Sequence, residues 1–313
     1  MTPSLRLVVT AAVVIGGIVG IGAIPAHAFA TTGTTVTTSS DTAAVDSNAA
    51  AASARAQAAN GLGRAANAFE ASAPSIPLDT TMPTGTVSSN GRTWVQSYAQ
   101  DFNTPAALGQ FTSVYPKIGV YNGQRDTSGQ GLYAPDKVLS VANGNLDFYL
   151  HSENGQPLVA TIMPDNYAAH TTGRVSVRFK STVTPGYKFV GMFWPSNDVW
   201  NQGEIDWPEG DLGQTVRPAS AIPGTYSNGN MQFLPATQIF SSTDQTQYHT
   251  ATTEWDSNTV RFYWDGQLVS SVTGAVPTQA MRVTLQAETF INQGTVPTDS
   301  SGHLDIDWIS IWN

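Results

Sequence analysis

The sequence predicts an all-β protein, a two-sheet β-sandwich that follows a disordered N-terminal extension. Short runs of alternating apolar and polar residues recur after Asn90, turn residues separate them, and no helical period persists there. All eight tryptophans and all ten tyrosines also lie after Asn90, so the composition changes at that point. We therefore expect one folded domain over residues 91–313, a length that is ordinary for a single sandwich.

The N-terminal residues have the pattern of a secretory signal. Arg6 precedes an apolar stretch that runs from Leu7 to about Ile24, and Ala26-His27-Ala28 then fits the small-x-small cleavage site. We expect residues 1–28 to be removed and the mature protein to be secreted. The alternative is an uncleaved anchor, because the apolar stretch is nearly long enough to span a bilayer.

Residues 29–90 are rich in Ala, Thr and Ser and contain few large apolar side chains. Such a segment cannot bury enough surface to offset its ordering entropy, so we expect a disordered linker that is dispensable for folding.

Charge and composition exclude several classes of function. The net charge is −9, which disfavours nucleic acid and strongly anionic polysaccharide as partners. Cysteine is absent, so neither disulfides nor thiol chemistry is available. The histidines form no H-x-H or H-x-x-x-H pair, which argues against a zinc site. A neutral polymer is the easier partner.

Alternation locates the strands and sorts the large side chains. Leu146, Phe148 and Leu150 share one face, and Asp265-Gly266 is a strong two-residue hairpin signal. Near the C-terminus we expect Leu304, Ile306 and Trp308 to lie opposite Asp305 and Asp307. Four tryptophans are expected in the core: Trp207, Trp255, Trp264 and Trp308.

The segment GEIDWPEGD, from Gly203 to Asp211, carries the most informative pattern. Glu204 and Asp206 are two residues apart, so on a strand they share one face. Glu209 would fall on the opposite face unless a β-bulge inserts one extra residue, and Pro208 stands where a bulge would accept proline. With the bulge, three carboxylates would line one surface.

Crowded carboxylates suit the hydrolysis of a glycosidic bond. One carboxylic acid protonates the leaving oxygen, while a second carboxylate attacks the anomeric carbon or activates a water there. The alternative is a solvated acidic turn without chemistry.

The motif resembles the E-x-D-x-x-E signature of glycoside hydrolase family 16, in its laminarinase-like form with a β-bulge. Other segments also resemble the family: YAPDKV from Tyr133, TTGRVSVRFK from Thr171, GMFWPSNDVWNQ from Gly191, YHTATTEWDSNTVRFYWDGQLV from Tyr248, and LDIDWISIW from Leu304. The resemblance implies a concanavalin-like β-jelly roll with a substrate cleft across its concave sheet. It also implies a retaining endo-glycanase, with a neutral β-1,3-glucan as the default substrate.

The resemblance assigns the roles in the motif. Glu204 is the nucleophile, Glu209 the general acid and then base, and Asp206 tunes the nucleophile. Three negative charges cannot coexist cheaply, so we expect one proton to be retained, on the acid that donates to the leaving oxygen.

Sugar-binding residues are expected next to the motif. Trp194 and Trp200 are candidates for platforms under sugar rings, with packing alone as the alternative. Tyr121, Tyr187 and Tyr226 are weaker candidates.

The chain departs from the family pattern in two places that concern the substrate. Val190 stands where many members carry the first sugar-stacking aromatic. Residues 217–226 contain no histidine, although the family often places one on that strand.

Several alternatives remain open at this stage. A lectin-like sandwich would bind glycan without cleaving it, and a transglycosylase would use the same residues. No cofactor is required, although relatives carry a structural calcium ion, for which Asp307 is the candidate ligand or else a structural carboxylate. We expect a monomer whose partner is polysaccharide, with no membrane insertion after signal cleavage.

Overall fold

The computed structural model describes residues 80–222, 226–227, 230–235, 245–290 and 294–313. The predicted signal peptide and most of the predicted linker lie outside the described residues. Within the described ranges, no helix has the length and apolar character needed to cross a membrane.

The regular secondary structure of the described residues is almost all strand, as the alternation predicts. The strands are β1 Thr86–Ser89, β2 Arg92–Gln100, β3 Gly119–Val120, β4 Leu132–Tyr133, β5 Leu139–Ala142, β6 Asn145–Glu153, β7 Gln156–Met163, β8 Gly173–Ser181, β9 Tyr187–Pro195, β10 Glu204–Asp211, β11 Arg217–Ala221, β12 Tyr226–Ser227, β13 Asn230–Met231, β14 His249–Trp255, β15 Val260–Trp264, β16 Gln267–Val272, β17 Met281–Thr289 and β18 Gly302–Trp312. The helical elements are short: α1 Phe111–Val114, α2 Pro135–Val138 and a 3₁₀ turn at Trp200–Gln202.

The strands form two layers, which we call the front sheet and the back sheet. The front sheet has the order β11-β10-β9-β17-β7, and the short strand β3 pairs with β7. The back sheet has the order β6-β18-β8-β14-β15-β16, and the N-terminal hairpin β1–β2 joins it through β18. The β6–β7 hairpin connects the layers at Ser152 and Pro157. The predicted two-sheet sandwich is confirmed.

Aromatic side chains fill the space between the two sheets. Phe189 of the front sheet meets Phe179 of the back sheet with ring centroids 5.1 Å apart. Phe193 meets Trp255 in the same way at 4.6 Å. Trp207 packs against Trp264 at 5.8 Å, so the strand that carries the motif is anchored in the core. Each fully buried aromatic side chain contributes on the order of 2–3 kcal/mol.

Trp308 is buried as predicted, but the prediction that it shares the inward face of Leu304 and Ile306 is wrong. A register shift between Ile306 and Trp308 in β18 moves Trp308 to the outer face of the back sheet. Trp308 is nevertheless buried, because the chain around Thr80 covers it and the Thr80 carbonyl accepts its Nε1–H at 3.2 Å. The alternation from Leu304 onward could not reveal a bulge.

The folded part begins before the predicted boundary at residue 91. Strand β1 lies at Thr86–Ser89, inside the predicted linker, and pairs with β2. The Gly85 carbonyl accepts a hydrogen bond from Trp312 Nε1 at 2.9 Å, and the Pro83 carbonyl accepts one from Ser310 Oγ at 2.9 Å. Residues 80–90 are therefore part of the domain, although they contain few large apolar residues.

Candidate active site

The predicted β-bulge is present in β10. Asp206 pairs with Met192 of β9, and Glu209 pairs with Val190, so three steps along β10 match two steps along β9. The pairing with β11 shifts at the same place. The extra residue lies at Trp207-Pro208, whose peptide bond is cis.

The bulge brings the three acids of the motif to the outer face of the front sheet. Cross-strand partners share a face, so Glu209 lies on the same side as Val190 and Asp206 on the same side as Met192. Ile205 and Trp207 point the other way and belong to the core, as predicted. The three carboxylates line one surface, and the alternative of a solvated acidic turn is wrong.

Glu204 is a buried acid whose side chain accepts a hydrogen bond from Trp200. Its side chain is largely excluded from water, and Trp200 Nε1 donates a hydrogen bond of 2.6 Å to its Oε2. Burial raises the pKa of Glu204 to about 7, although the Trp200 hydrogen bond opposes this shift. The nearby charge of Glu209 contributes to the same increase in pKa.

Asp206 is harder to ionise than an ordinary aspartate side chain. Burial raises its pKa well above the ordinary value, and the charges of Glu204 and Glu209 add to this effect. The protonated form of Asp206 is therefore favoured.

Glu209 lies instead between two cations. Lys188 Nζ is 3.5 Å from its Oε1, and the Arg217 guanidinium pairs with its Oε2. These two cations flank the residue that the resemblance makes the general acid. Both cations come from neighbouring strands, and the spacing within the motif carried no sign of them.

Lys188 and Arg217 are functional candidates that sequence reasoning missed. Alternation in β9 could have found Lys188, since it shares a face with Trp194 and lies opposite Phe189 and Phe193. Arg217 is paired with Glu209 across β10 and β11. It lies on β11, the strand in which the sequence analysis found no histidine.

The two predicted platform tryptophans occupy different positions. Trp194 lies partly exposed on the outer face of β9, paired with Arg282 of β17, where a sugar ring could reach it. Trp200 is also partly exposed, but its indole N–H is held by Glu204. Among the weaker candidates, Tyr121 is partly buried and Tyr187 is fully buried. The side chain of Tyr226 lies outside the described residues.

Asp307, the candidate calcium ligand, takes part in an ion pair on the back sheet. Its Oδ2 accepts a hydrogen bond from the guanidinium of Arg178, so a cationic side chain already balances its charge. Across the described ranges, no group of three or more His, Asp or Glu side chains is arranged to hold a metal ion. The ion pair with Arg178 is compatible with the alternative of a structural carboxylate.

Comparison with solved structures identifies proteins that share this fold. The endo-β-1,3-glucanase of Pyrococcus furiosus is 15% identical and superimposes with a TM-score of 0.58, over 74% of this chain and 98% of that one. The laminarinase of Rhodothermus marinus is 17% identical, with a TM-score of 0.57 over 70% of this chain and 97% of its own. At these identities the likeness establishes the fold, a β-jelly roll. No curated protein sequence matches significantly.

The amino-acid sequence matches a known family. Residues 128–310 match the glycosyl hydrolases family 16, and this range covers more than half of the chain and includes the bulged strand with its three acids. The chain therefore belongs to glycosyl hydrolases family 16 and is a glycoside hydrolase.

Proposed function

We propose that this glycoside hydrolase cleaves internal bonds of a neutral β-glucan, with β-1,3-glucan as the first candidate, by double displacement with retention. The observation that carries the proposal is the bulge in β10, which brings Glu204 and Glu209 to one face of the front sheet. Two carboxyl groups on one face, in environments that differ in charge and burial, suit an acid and a nucleophile.

Glu204 acts as the nucleophile in the proposed mechanism. Its ionised oxygen attacks the anomeric carbon while Glu209 donates its proton to the leaving oxygen, giving a glycosyl-enzyme intermediate. Glu209 then takes a proton from water, the water oxygen bonds to the anomeric carbon, and the Glu204 carboxylate leaves. Asp206 holds a proton near Glu204 and tunes its ionisation.

The charges around the site favour a neutral polymer. Glu204, Asp206, Glu209 and Glu288 outnumber the cations Lys188 and Arg217 on this part of the front sheet. A polyanionic chain would meet net repulsion there. The fold is also that of proteins described as endo-β-1,3-glucanase and laminarinase, which supports β-1,3-glucan as the first substrate to test.

A substrate panel tests the reaction class. The protein is incubated with neutral and acidic polysaccharides, new reducing ends are counted, and the first-formed anomer is read by NMR. We expect cleavage of a neutral β-glucan with the β-anomer formed first. Binding without any new reducing end would establish the lectin-like alternative. Longer products than the substrate would establish transglycosylation.

Amide variants test the assigned roles. Glu204→Gln should remove turnover while glycan binding persists, because an amide cannot attack the anomeric carbon. Glu209→Gln should slow cleavage of polysaccharide by about 10²–10⁴-fold. This variant should still react with an aryl glycoside whose leaving group needs no proton, and azide should release a β-glycosyl azide. Asp206→Asn should cost less than either change.

Glu153→Gln is the matched control, because Glu153 pairs with Lys137 at the β6–β7 hairpin, outside the site. It should keep wild-type activity. Full activity in Glu204→Gln would refute the assignment of the nucleophile.

We also propose secretion, on the signal-like pattern of residues 1–28 alone. N-terminal sequencing of protein recovered from a culture medium should give Phe29 as the first residue. Recovery of the full-length chain in a membrane fraction would support the uncleaved anchor.

A further inference from the structure

Lys188 lies at the centre of the acidic face of the front sheet. In the strand register it stands between Asp211 of β10 and Glu288 of β17. Its side chain is only 13% exposed, and Nζ is 3.5 Å from Glu209 Oε1 and 3.6 Å from Glu288 Oε2. The lysine therefore divides its charge between the proposed acid/base and a second carboxylate.

Glu288 is fixed by donors that the reaction does not use. Its side chain is 2% exposed, and its Oε1 accepts hydrogen bonds from the Tyr133 hydroxyl, from Thr127 Oγ1 at 2.9 Å and from Gln286 Nε2 at 2.8 Å. Donors of this kind stabilise a carboxylate in its ionised form. Glu288 thus acts as a stationary counter-charge that keeps Lys188 in place.

We propose that Lys188 is a positioning residue for Glu209, which it holds in the site through a direct ion pair, and that Glu288 limits how much of the lysine charge Glu209 receives. The inference rests on the proposed function, which makes Glu209 the general acid and base. An ionised Glu209 is ready to accept the proton of water in the second step. The first step needs the protonated form, so the Lys188–Glu288 balance sets the pH above which cleavage fails.

Other charges face Lys188 and must be considered with it. Glu204, Asp206 and Asp211 of β10 lie on the same surface, and Arg217 of β11 pairs with the far oxygen of Glu209.

Burial alone would lower the pKa of Lys188, but Glu209, Glu288, Asp206 and Glu204 outweigh it and raise the pKa to about 12. Lys188 therefore stays cationic across an ordinary activity profile. The alkaline limb of that profile does not come from the titration of Lys188 itself. Arg217 is 51% exposed, so solvent screens its influence more strongly.

The pH profile of kcat/KM tests the inference, since it reports ionisations of the free enzyme. Lys188→Met, Lys188→Arg and Glu288→Gln are assayed on a soluble β-1,3-glucan, or on whichever polysaccharide of the panel is cleaved fastest. Lys188→Met should move the alkaline limb to higher pH by about 1 unit or more, because an opposite charge at this range is lost. Glu288→Gln should move it to lower pH, and Lys188→Arg should leave it near the wild-type position.

Lys180→Met is the matched control. Lys180 lies on the back sheet, where it pairs with Asp305 at 3.4 Å, so its loss changes the net charge equally without touching the site. The alkaline limb should not move in this variant. Thermal unfolding of every variant identifies any that fails to fold, and Lys188→Arg with Glu288→Gln then carry the test.

Two outcomes overturn the inference. The first is a uniform loss of activity in Lys188→Met with an unmoved alkaline limb, which means that the lysine is only structural. The second is a shift of the limb in the same direction for Lys188→Met and Glu288→Gln, which means that no charge balance exists. The Glu209→Gln variant distinguishes these two outcomes from a failure of the proposed function. If Glu209→Gln cleaves polysaccharide at the wild-type rate, the acid/base assignment itself is wrong.

Discussion

Gly191 lies directly against the main chain of Trp207: a Cβ atom on residue 191 would stand 2.5 Å from the Trp207 carbonyl oxygen. No ordinary side chain tolerates that separation, so glycine in β9 is what allows the bulge in β10 to approach. The bulge in turn places Glu209 on the face that Glu204 occupies. A residue without a side chain therefore supports the arrangement of the two glutamates.

We expect Gly191→Ala to displace the bulge and to lower the free energy of unfolding by about 1–3 kcal/mol, as overpacking does. It should reduce kcat more than it changes KM, because a small shift of Glu209 disturbs the reacting geometry. Chemical denaturation and steady-state kinetics measure both effects. Gly274→Ala is the control, since within the described ranges a Cβ there would meet only Leu234 Cδ1, at 3.8 Å. Wild-type kcat in Gly191→Ala would contradict this account.

We expect Trp200→Phe to change the pH dependence of activity, because it removes the N–H that Glu204 Oε2 accepts. That hydrogen bond lowers the pKa of Glu204 against the effect of burial, which raises it to about 7. Without the bond the nucleophile ionises only at higher pH, so the acid limb of kcat/KM should move upward. Trp194→Phe, which keeps an aromatic ring on the same surface, should leave the limb in place. A change in KM alone for Trp200→Phe would instead indicate a sugar platform.

We expect a fragment that starts at Thr80 to unfold at the same temperature as the longer chain, and a fragment that starts at Gly91 to be much less stable. The shorter fragment loses the carbonyls of Thr80 and Gly85, which accept the indole N–H groups of Trp308 and Trp312. Each buried donor left without an acceptor costs about 1–3 kcal/mol.

The shorter fragment also loses Asn90, whose Nδ2 donates to the buried carboxylate of Glu254 at 2.6 Å. Thermal unfolding of both fragments measures the difference. Equal unfolding temperatures would restore residue 91 as the domain boundary.

We expect His170 to stabilise the fold in a pH-dependent manner. Burial alone would lower its pKa, but hydrogen bonds to Asp165 and to Asn313 Oδ1, together with the Asp165 charge, outweigh burial and raise the pKa above its usual 6.5. Because the folded-state pKa exceeds the unfolded one, this stabilisation is complete below about pH 6.5 and is lost as pH rises through the folded value.

His170→Gln should therefore destabilise the protein most in the acidic part of that range. Unfolding free energies measured from about pH 5 to about pH 9 follow the loss. His303→Gln, at an exposed ion pair with Asp147, should change stability little at any of these pH values. A pH-independent difference between wild type and His170→Gln would contradict the linkage.

Local sequence was sufficient for the fold class and for the acidic strand. The period of two in β6, the Asp265-Gly266 hairpin and the odd spacing from Glu204 to Glu209 are all short-range features, and short-range geometry dictates which face each residue takes. The structure confirms the sandwich, the bulge and the burial of Ile205 and Trp207.

Tertiary structure alone decided which charges surround the acids of the site and where the domain starts. Lys188, Arg217 and Glu288 reach the acids from β9, β11 and β17, and only the pairing of those strands makes them neighbours. Likewise, residues 80–85 are held by their backbone carbonyls, and composition does not reveal which carbonyls will find donors. The pattern of one strand determines where its own side chains point. The proton affinity of a carboxylate depends on charges from other strands and on burial, which exist only once the sheet is assembled.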